Sequence, residues 1–243
     1  DQEAAGVGLM AGFNREKLFE AVSNGEPVEG EDLRGLDLSG LDLGCANLRG
    51  SDLRNANLSG TNFEEAHLER VMLDGAIISG TNFSGAHLTG VTLRCVDLSS
   101  CNLARLTAVD SYFVRLTVAG ADFAGARLSG TTFARCTWKD LNFSESHFNK
   151  TRILFCSIEG CRFEKCDLSE ANLGLSRFVK TSFNDSELTL ASFMAATMES
   201  VQMRNAVLEK LDLTLLNADG LDVTGSKQQG IIVQGARIRN LTR

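Results

Sequence analysis

The fold is decided by residues 31–70, which read EDLRG LDLSG LDLGC ANLRG SDLRN ANLSG TNFEE AHLER. The third residue of each group of five is large and apolar, the first is mostly small or apolar, and the last two are mostly polar or glycine. This phase continues to Ile238 without insertion or deletion, and it is broken only by Ala108, Ala218 and Gln228. A period of five fits neither a helix nor a flat strand. It predicts a chain that turns a corner every five residues, with one large and one small side chain per side pointing inward.

Such a coil cannot bury its inward residues alone, so it must stack on further coils through backbone hydrogen bonds. The phenylalanines indicate how many sides one coil has. Six of them share one phase of a 20-residue cycle, which predicts a four-sided coil in which like side chains stack. About ten coils at the usual inter-strand spacing give a rod about 50 Å long. The six are Phe63, Phe83, Phe123, Phe143, Phe163 and Phe183.

With these repeats, the chain from residue 31 to about residue 240 resembles the pentapeptide-repeat family, whose motif is A(D/N)LXX. The resemblance implies an all-β fold, a right-handed quadrilateral β-helix of about ten coils. We therefore divide the chain into an N-terminal segment, residues 1–30, and a β-helix, residues 31–243.

The N-terminal segment contains a predicted helix over residues 15–23 that covers the first coil. Asn14 is a good N-cap, and Asn24-Gly25 is a stop signal with Pro27 just beyond it. We expect Leu18, Phe19 and Val22 to share its buried face. The alternative is that this helix binds a partner.

No such cap is predicted at the other end, where Gln228 takes an inward position and Ile232 an outward one. The last coil either frays or contacts a second molecule. Gyrase-binding members of the resembled family dimerise through their C-terminal ends, generally with extra structure that is absent from this sequence.

The 243 residues are 43% hydrophobic and carry a formal net charge of −7. This charge disfavours direct binding to nucleic acid, and no apolar run is long enough for a membrane span. Residues 1–10 show no secretory signal. Five of the seven cysteines take the small inward position, where we expect free thiols, so a cytoplasmic, reducing compartment fits. These five are Cys101, Cys136, Cys156, Cys161 and Cys166.

The sequence predicts no enzyme, cofactor or metal site. It contains no nucleophile elbow, phosphate-binding loop or dinucleotide motif. His67 and His87 stack in adjacent coils, with His147 three coils further on. We expect no cysteine or carboxylate to complete a tetrahedral metal site with them.

The candidate site is an outer strip along the corner column that begins at Gly35. This strip is basic in its lower half, where Arg34, Arg54 and Arg94 flank the corner, and apolar in its upper half. Contiguous exposed apolar surface usually marks an interface. The alternative is that these side chains fold back as local packing. The predicted partner-binding residues are Arg115, Arg135, Leu154, Phe155, Leu175, Met194 and Leu215.

We therefore expect a non-catalytic scaffold that uses this strip to bind a protein partner or itself. Residues 14–43 are loosely similar to the helix-then-repeat start of bacterial pentapeptide modules, some of them attached to secretion-system proteins. That similarity implies a secretion-associated adaptor or effector. The alternative function, also taken from the resemblance, is a DNA mimic that binds DNA gyrase. Such a mimic needs a continuous anionic face, whereas the acidic residues of this sequence are spread over several sides.

Overall fold

The computed structural model describes residues 13–243. The part of the predicted N-terminal segment that precedes residue 13, with the stretch searched for a secretory signal, lies outside them. The described chain forms one helix, α1, Arg15–Ser23, followed by a parallel β-solenoid. Its named strands are β1 Thr92–Arg94, β2 Tyr112–Val114, β3 Thr117–Ala119, β4 Thr132–Ala134, β5 Thr137–Lys139, β6 Arg152–Leu154, β7 Ser157–Glu159, β8 Arg177–Val179, β9 Thr197–Glu199, β10 Asn217–Asp219 and β11 Arg237–Arg239.

Each residue that pairs does so with the residue twenty positions further on, always in parallel. The pairs fall on four sides, which we number by their central residues: side 1 contains Leu33, side 2 Leu38, side 3 Leu43 and side 4 Leu48. Strands β1, β2, β4 and β6 form a sheet on side 1, and β3, β5 and β7–β11 form one on side 2. Isolated bridges continue the same register along all four sides. The prediction of a four-sided solenoid with a 20-residue coil is confirmed.

Aspartate and asparagine are common at the second position of each five because their side chains stabilise the turn that follows. The side-chain oxygen accepts a hydrogen bond from the backbone N–H two residues later, as at Asp37 with Ser39 (3.1 Å) and Asp97 with Ser99 (2.9 Å). This bond closes the turn at the corner. The fifth residue then takes a left-handed conformation, as at Gly40 with a φ of 66°.

The phenylalanine ladder runs along side 3 as predicted. The ring of Phe143 stacks on those of Phe123 and Phe163, with 4.8 Å between centroids in both pairs. Phe163 stacks on Phe183 at the same distance. All four rings are buried, so each side chain fills the space between like neighbours above and below.

Helix α1 covers the first coil with the predicted bounds. The Asn14 side chain accepts a hydrogen bond from the Lys17 N–H at 2.9 Å, and Leu18 is fully buried. The Arg15 guanidinium donates to two backbone carbonyls of the first coil, which fixes the helix on it. The expectation for Phe19 is wrong, because this side chain is 44% exposed and Ala21 takes its place on the buried face. None of the helical segments in residues 13–243 has the length and hydropathy of a membrane span.

The backbone pairing between coils is interrupted in the lower half of the rod. Met72 and Ile77 occupy the second position of their fives, so their side chains cannot make the turn hydrogen bond that Asp or Asn makes there. Both are exposed, at 40% and 57%. Within the described residues, side 4 pairs without a break from 47 to 227, and each other side misses one pair: Met72 with Thr92, Ile77 with Asp97, and Asn102 with Asp122.

The last coil leaves inward positions uncovered. Val233 is 53% exposed and Gln228 is exposed as well, because no further coil stacks on them in the described chain. Self-association through this surface stays a prediction.

The five inward cysteines are buried and free, as predicted, whereas Cys45 and Cys95 are exposed. Burial raises the pKa of Cys101 to about 11 and that of Cys161 and Cys166 to about 12.

We therefore expect two of the seven thiols to react quickly with Ellman's reagent in the native protein, because the reagent needs an accessible thiolate. The other five should react only as the rod unfolds. Denatured, unreduced protein should release all seven. Fewer than six titratable thiols there would reveal a disulfide and contradict the free-thiol assignment.

Candidate functional site

The strip lies on the corner between sides 1 and 2. Four of its predicted apolar residues are largely exposed, and Leu154 is half-buried. None of the five turns into the core, so the alternative of local packing does not account for their exposed surface. The exposed fractions are 56% for Phe155, 52% for Leu175, 47% for Met194 and 59% for Leu215.

Backbone preference does not explain these side chains either. Phe155, Leu175 and Leu215 have φ angles of 57°, 58° and 59°, in the left-handed region that favours glycine. The same corner column uses glycine at Gly35 and Gly75. A bulky side chain in that region costs about 1–3 kcal/mol. The fifth residue is left-handed at the corners of the other sides as well, so this strain belongs to the repeat and does not by itself mark the strip.

Arg115 and Arg135 continue the corner column below Phe155. Both are exposed, and neither forms a salt bridge within residues 13–243. The lowest arginines of the strip differ, because Arg34 and Arg54 pair with aspartates of their own fives, at 2.6 Å from Asp32 and 2.5 Å from Asp52. The predicted basic lower half is thus partly neutralised.

These ion pairs also act on the carboxylates. The hydrogen bonds from Arg34 lower the pKa of Asp32 to about 2, and those from Arg54 lower the pKa of Asp52. A lowered pKa in the folded state gives stability above a pH of about 4, which is lost as the pH falls towards 2. Both groups are screened by solvent, so this contribution is small.

The upper strip carries no negative charge. From residue 114 to residue 237, the corner column and the two outward columns beside it contain no aspartate or glutamate. Acidic side chains beyond these columns pair with basic ones, as in Glu199 with Arg177 of a flanking column (3.1 Å) and Asp222 with Arg204 (2.6 Å). The DNA-mimicking function stays a prediction, and this mixed charge does not favour it.

A second group of chemically active side chains lies on side 4. The rings of His67 and His87 stack as predicted, with centroids 5.0 Å apart. The expectation that no carboxylate completes a site with them is wrong, because Glu69 joins them and one ligand atom from each residue lies within 4.8 Å of the others. The signal was present in the register: the second and fourth residues of a five both point outward from the same side. His147 lies outside this cluster.

Arg49 contacts the cluster from the coil below. Its guanidinium binds both carboxylate oxygens of Glu69, at 3.0 and 3.1 Å, and approaches Nδ1 of His67 at 2.9 Å. Partial burial alone would raise the pKa of Glu69, but hydrogen bonds from Arg49, from the Glu69 backbone N–H and from His67, together with the Arg49 charge, outweigh it and lower that pKa.

Solved structures similar to this chain include HetL, a pentapeptide repeat protein involved in heterocyst differentiation regulation from the cyanobacterium Nostoc. It is 22% identical, with 92% of this chain and 96% of that chain covered and a TM-score of 0.46. A trypsin-treated form of QnrB1, a plasmid-mediated fluoroquinolone resistance protein, is 20% identical. The match covers 82% of this chain and 90% of that chain, with a TM-score of 0.31. The A-module of the Azotobacter vinelandii mannuronan C-5 epimerase AlgE6 is 8% identical. The match covers 88% of this chain and 76% of that chain, with a TM-score of 0.34.

The comparison with curated proteins found no match. The family model for pentapeptide repeats matches in eight copies, over residues 32–70, 66–105, 121–153 and 156–193. These ranges cover more than half of the chain. The chain is therefore a member of the pentapeptide-repeat family.

Proposed function

We propose that this protein is a non-catalytic interaction scaffold. Its strip binds another protein, and the surface of that partner is both apolar and acidic. The observation that carries the proposal is the line of exposed apolar side chains along one corner of the rod. That line continues directly into two arginines that have no acidic partner among residues 13–243. The corner is convex, so it offers side chains to a partner but does not enclose a substrate.

The charge of the strip favours a different protein over a second copy. A second copy that used the same strip would place Arg115 and Arg135 against the corner column and its two flanking columns, which contain no aspartate or glutamate from residue 114 to residue 237. The guanidinium groups would then face apolar or positively charged surface, and their charge would be left without compensation. A partner with acidic side chains at one end of an apolar ridge compensates them.

The size of the strip is suited to one short segment of a partner. Phe155 and Leu215 lie three coils apart, about 14 Å, and Arg115 and Leu215 lie five coils apart, about 24 Å. Apolar surface buried there contributes about 25 cal/mol per Å² before the costs of association are subtracted. The arginines would add specificity and rate of association more than affinity.

We expect the wild type and the variant Phe155→Glu with Leu175→Lys to sediment in the same association state at micromolar concentration, because the strip does not mediate self-association. The wild type should bind an apolar fluorescent dye more strongly than this variant, because the variant removes the exposed apolar surface. Thermal unfolding should remain cooperative in both proteins.

The matched control is Glu145→Lys with Lys165→Glu, on the diagonally opposite corner, where both residues are also left-handed. It should bind the dye as the wild type does. A wild-type dimer that the strip variant dissociates would make a second copy the occupant and overturn the proposal. Equal dye binding by the strip variant and the control would show that the strip is not the accessible apolar surface.

A further inference from the structure

The cluster on side 4 already presents the donor atoms of a metal site. Nδ1 of His67 lies 3.4 Å from Oε1 of Glu69. Two ligand atoms on a tetrahedral zinc ion, each about 2.0–2.1 Å from the metal, are about 3.3 Å apart. These two atoms therefore have the separation that a shared zinc ion requires, without any movement.

The lone pairs of both atoms point to one position. Arginine has only hydrogen-bond donors, so the contact from Arg49 assigns the acceptor role to Nδ1 of His67. The same Arg49 nitrogen, Nη2, lies 2.9 Å from that Nδ1 and 3.1 Å from Oε1 of Glu69. A positive charge is thus held between the two atoms that would bind a cation.

His87 supplies the third ligand from the next coil. It pairs with His67 in the parallel ladder, and its ring stacks on that of His67 with 26° between the planes. All three side chains are half-buried, and one ligand atom of each lies within 4.8 Å of the others. Binding of a shared ion requires the His87 ring to rotate so that its nitrogen comes closer than this limit.

We propose that His67, Glu69 and His87 form a binding site for a divalent transition metal, with zinc as the best fit, and that the Arg49 guanidinium competes with the metal for this position. Two imidazoles and one carboxylate suit zinc, whereas magnesium and calcium prefer oxygen ligands alone. The bound ion would join two adjacent coils and leave its fourth position open. This inference does not depend on the proposed function of the strip.

The test is a zinc titration by calorimetry in a Cys45→Ser, Cys95→Ser background, which removes the two exposed thiols as competing ligands. We expect one zinc ion per chain. Replacement of the third ligand, His87→Ala, should weaken binding by tenfold or more, because only two ligands remain. Arg49→Gln should strengthen binding, because it removes the competing cation.

His147→Ala is the matched control, since it removes a histidine from the same side outside the cluster, and it should bind zinc as the background protein does. The visible spectrum of bound Co²⁺ should show nitrogen and oxygen ligands without thiolate. Zinc binding unchanged by His87→Ala, weaker binding in Arg49→Gln, or no binding at all would overturn the proposal. Circular dichroism of each variant shows that loss of binding is not loss of the fold.

Discussion

We expect Phe143→Ala to lower the free energy of unfolding by about 3–5 kcal/mol. Its ring is fully buried, stacks on two other phenylalanines, and lies 5.1 Å from the ring of Trp138 and 5.2 Å from that of Phe148. The substitution leaves a cavity that the coils above and below cannot fill, because their spacing is fixed by backbone hydrogen bonds. Chemical denaturation measures the loss.

The control for this prediction is the next residue, Ser144→Ala. The Ser144 hydroxyl points outward and donates to Asn142 at 2.7 Å, so its loss should cost less than about 0.5 kcal/mol. Equal losses from the two variants would contradict the five-residue register, since the register assigns one residue to the core and its neighbour to the surface.

The second large effect is expected at Gly174, beside the strip. Its φ is not left-handed, so its freedom of backbone conformation is not the reason for glycine. A Cβ atom there would lie 2.9 Å from the carbonyl oxygen of Met194, which belongs to the backbone and cannot rotate away. Gly174→Ala should therefore cost about 1–3 kcal/mol through overpacking.

Gly44→Ala is the matched control because Gly44 occupies the same fourth position on side 3. Its Cβ would lie 3.3 Å from Oδ1 of Asp42, the end of a side chain that can shift. It should cost less than Gly174→Ala in the same denaturation experiment. A Gly174→Ala variant as stable as the wild type would show that the two coils separate easily at this point.

The sequence was sufficient to predict the repeat, the four sides of the coil, the bounds of α1 and the phenylalanine ladder. The bounds of α1 follow from its capping residues. The other three depend on a period, and a period places every residue in a regular solenoid. The exposure of Phe155, Leu175, Met194 and Leu215 followed from the same register.

The errors arose where position in the repeat is not enough. Phe19 lies in a helix that contacts only one end of the rod, so the period gives no information about its exposed face. Whether Arg34 and Arg54 pair with Asp32 and Asp52 depends on side-chain rotamers. Glu69 was missed because it lies two residues from His67 and outside the column of stacked histidines, although its position beside His67 follows from the register as well.

The central claim is that the strip binds an apolar and acidic partner, and two designed helical peptides of about 16 residues test it most directly. This length covers the strip from Arg115 to Leu215, and one helical turn matches the coil spacing closely enough to align the side chains. Both peptides carry the same apolar ridge, and one has glutamates where the other has lysines. Fluorescence anisotropy should show binding of the glutamate peptide to the wild type, weaker binding to Arg115→Glu with Arg135→Glu, and none to Phe155→Glu with Leu175→Lys. Equal binding of both peptides to the wild type, or binding that survives in the Phe155→Glu, Leu175→Lys variant, would contradict the claim.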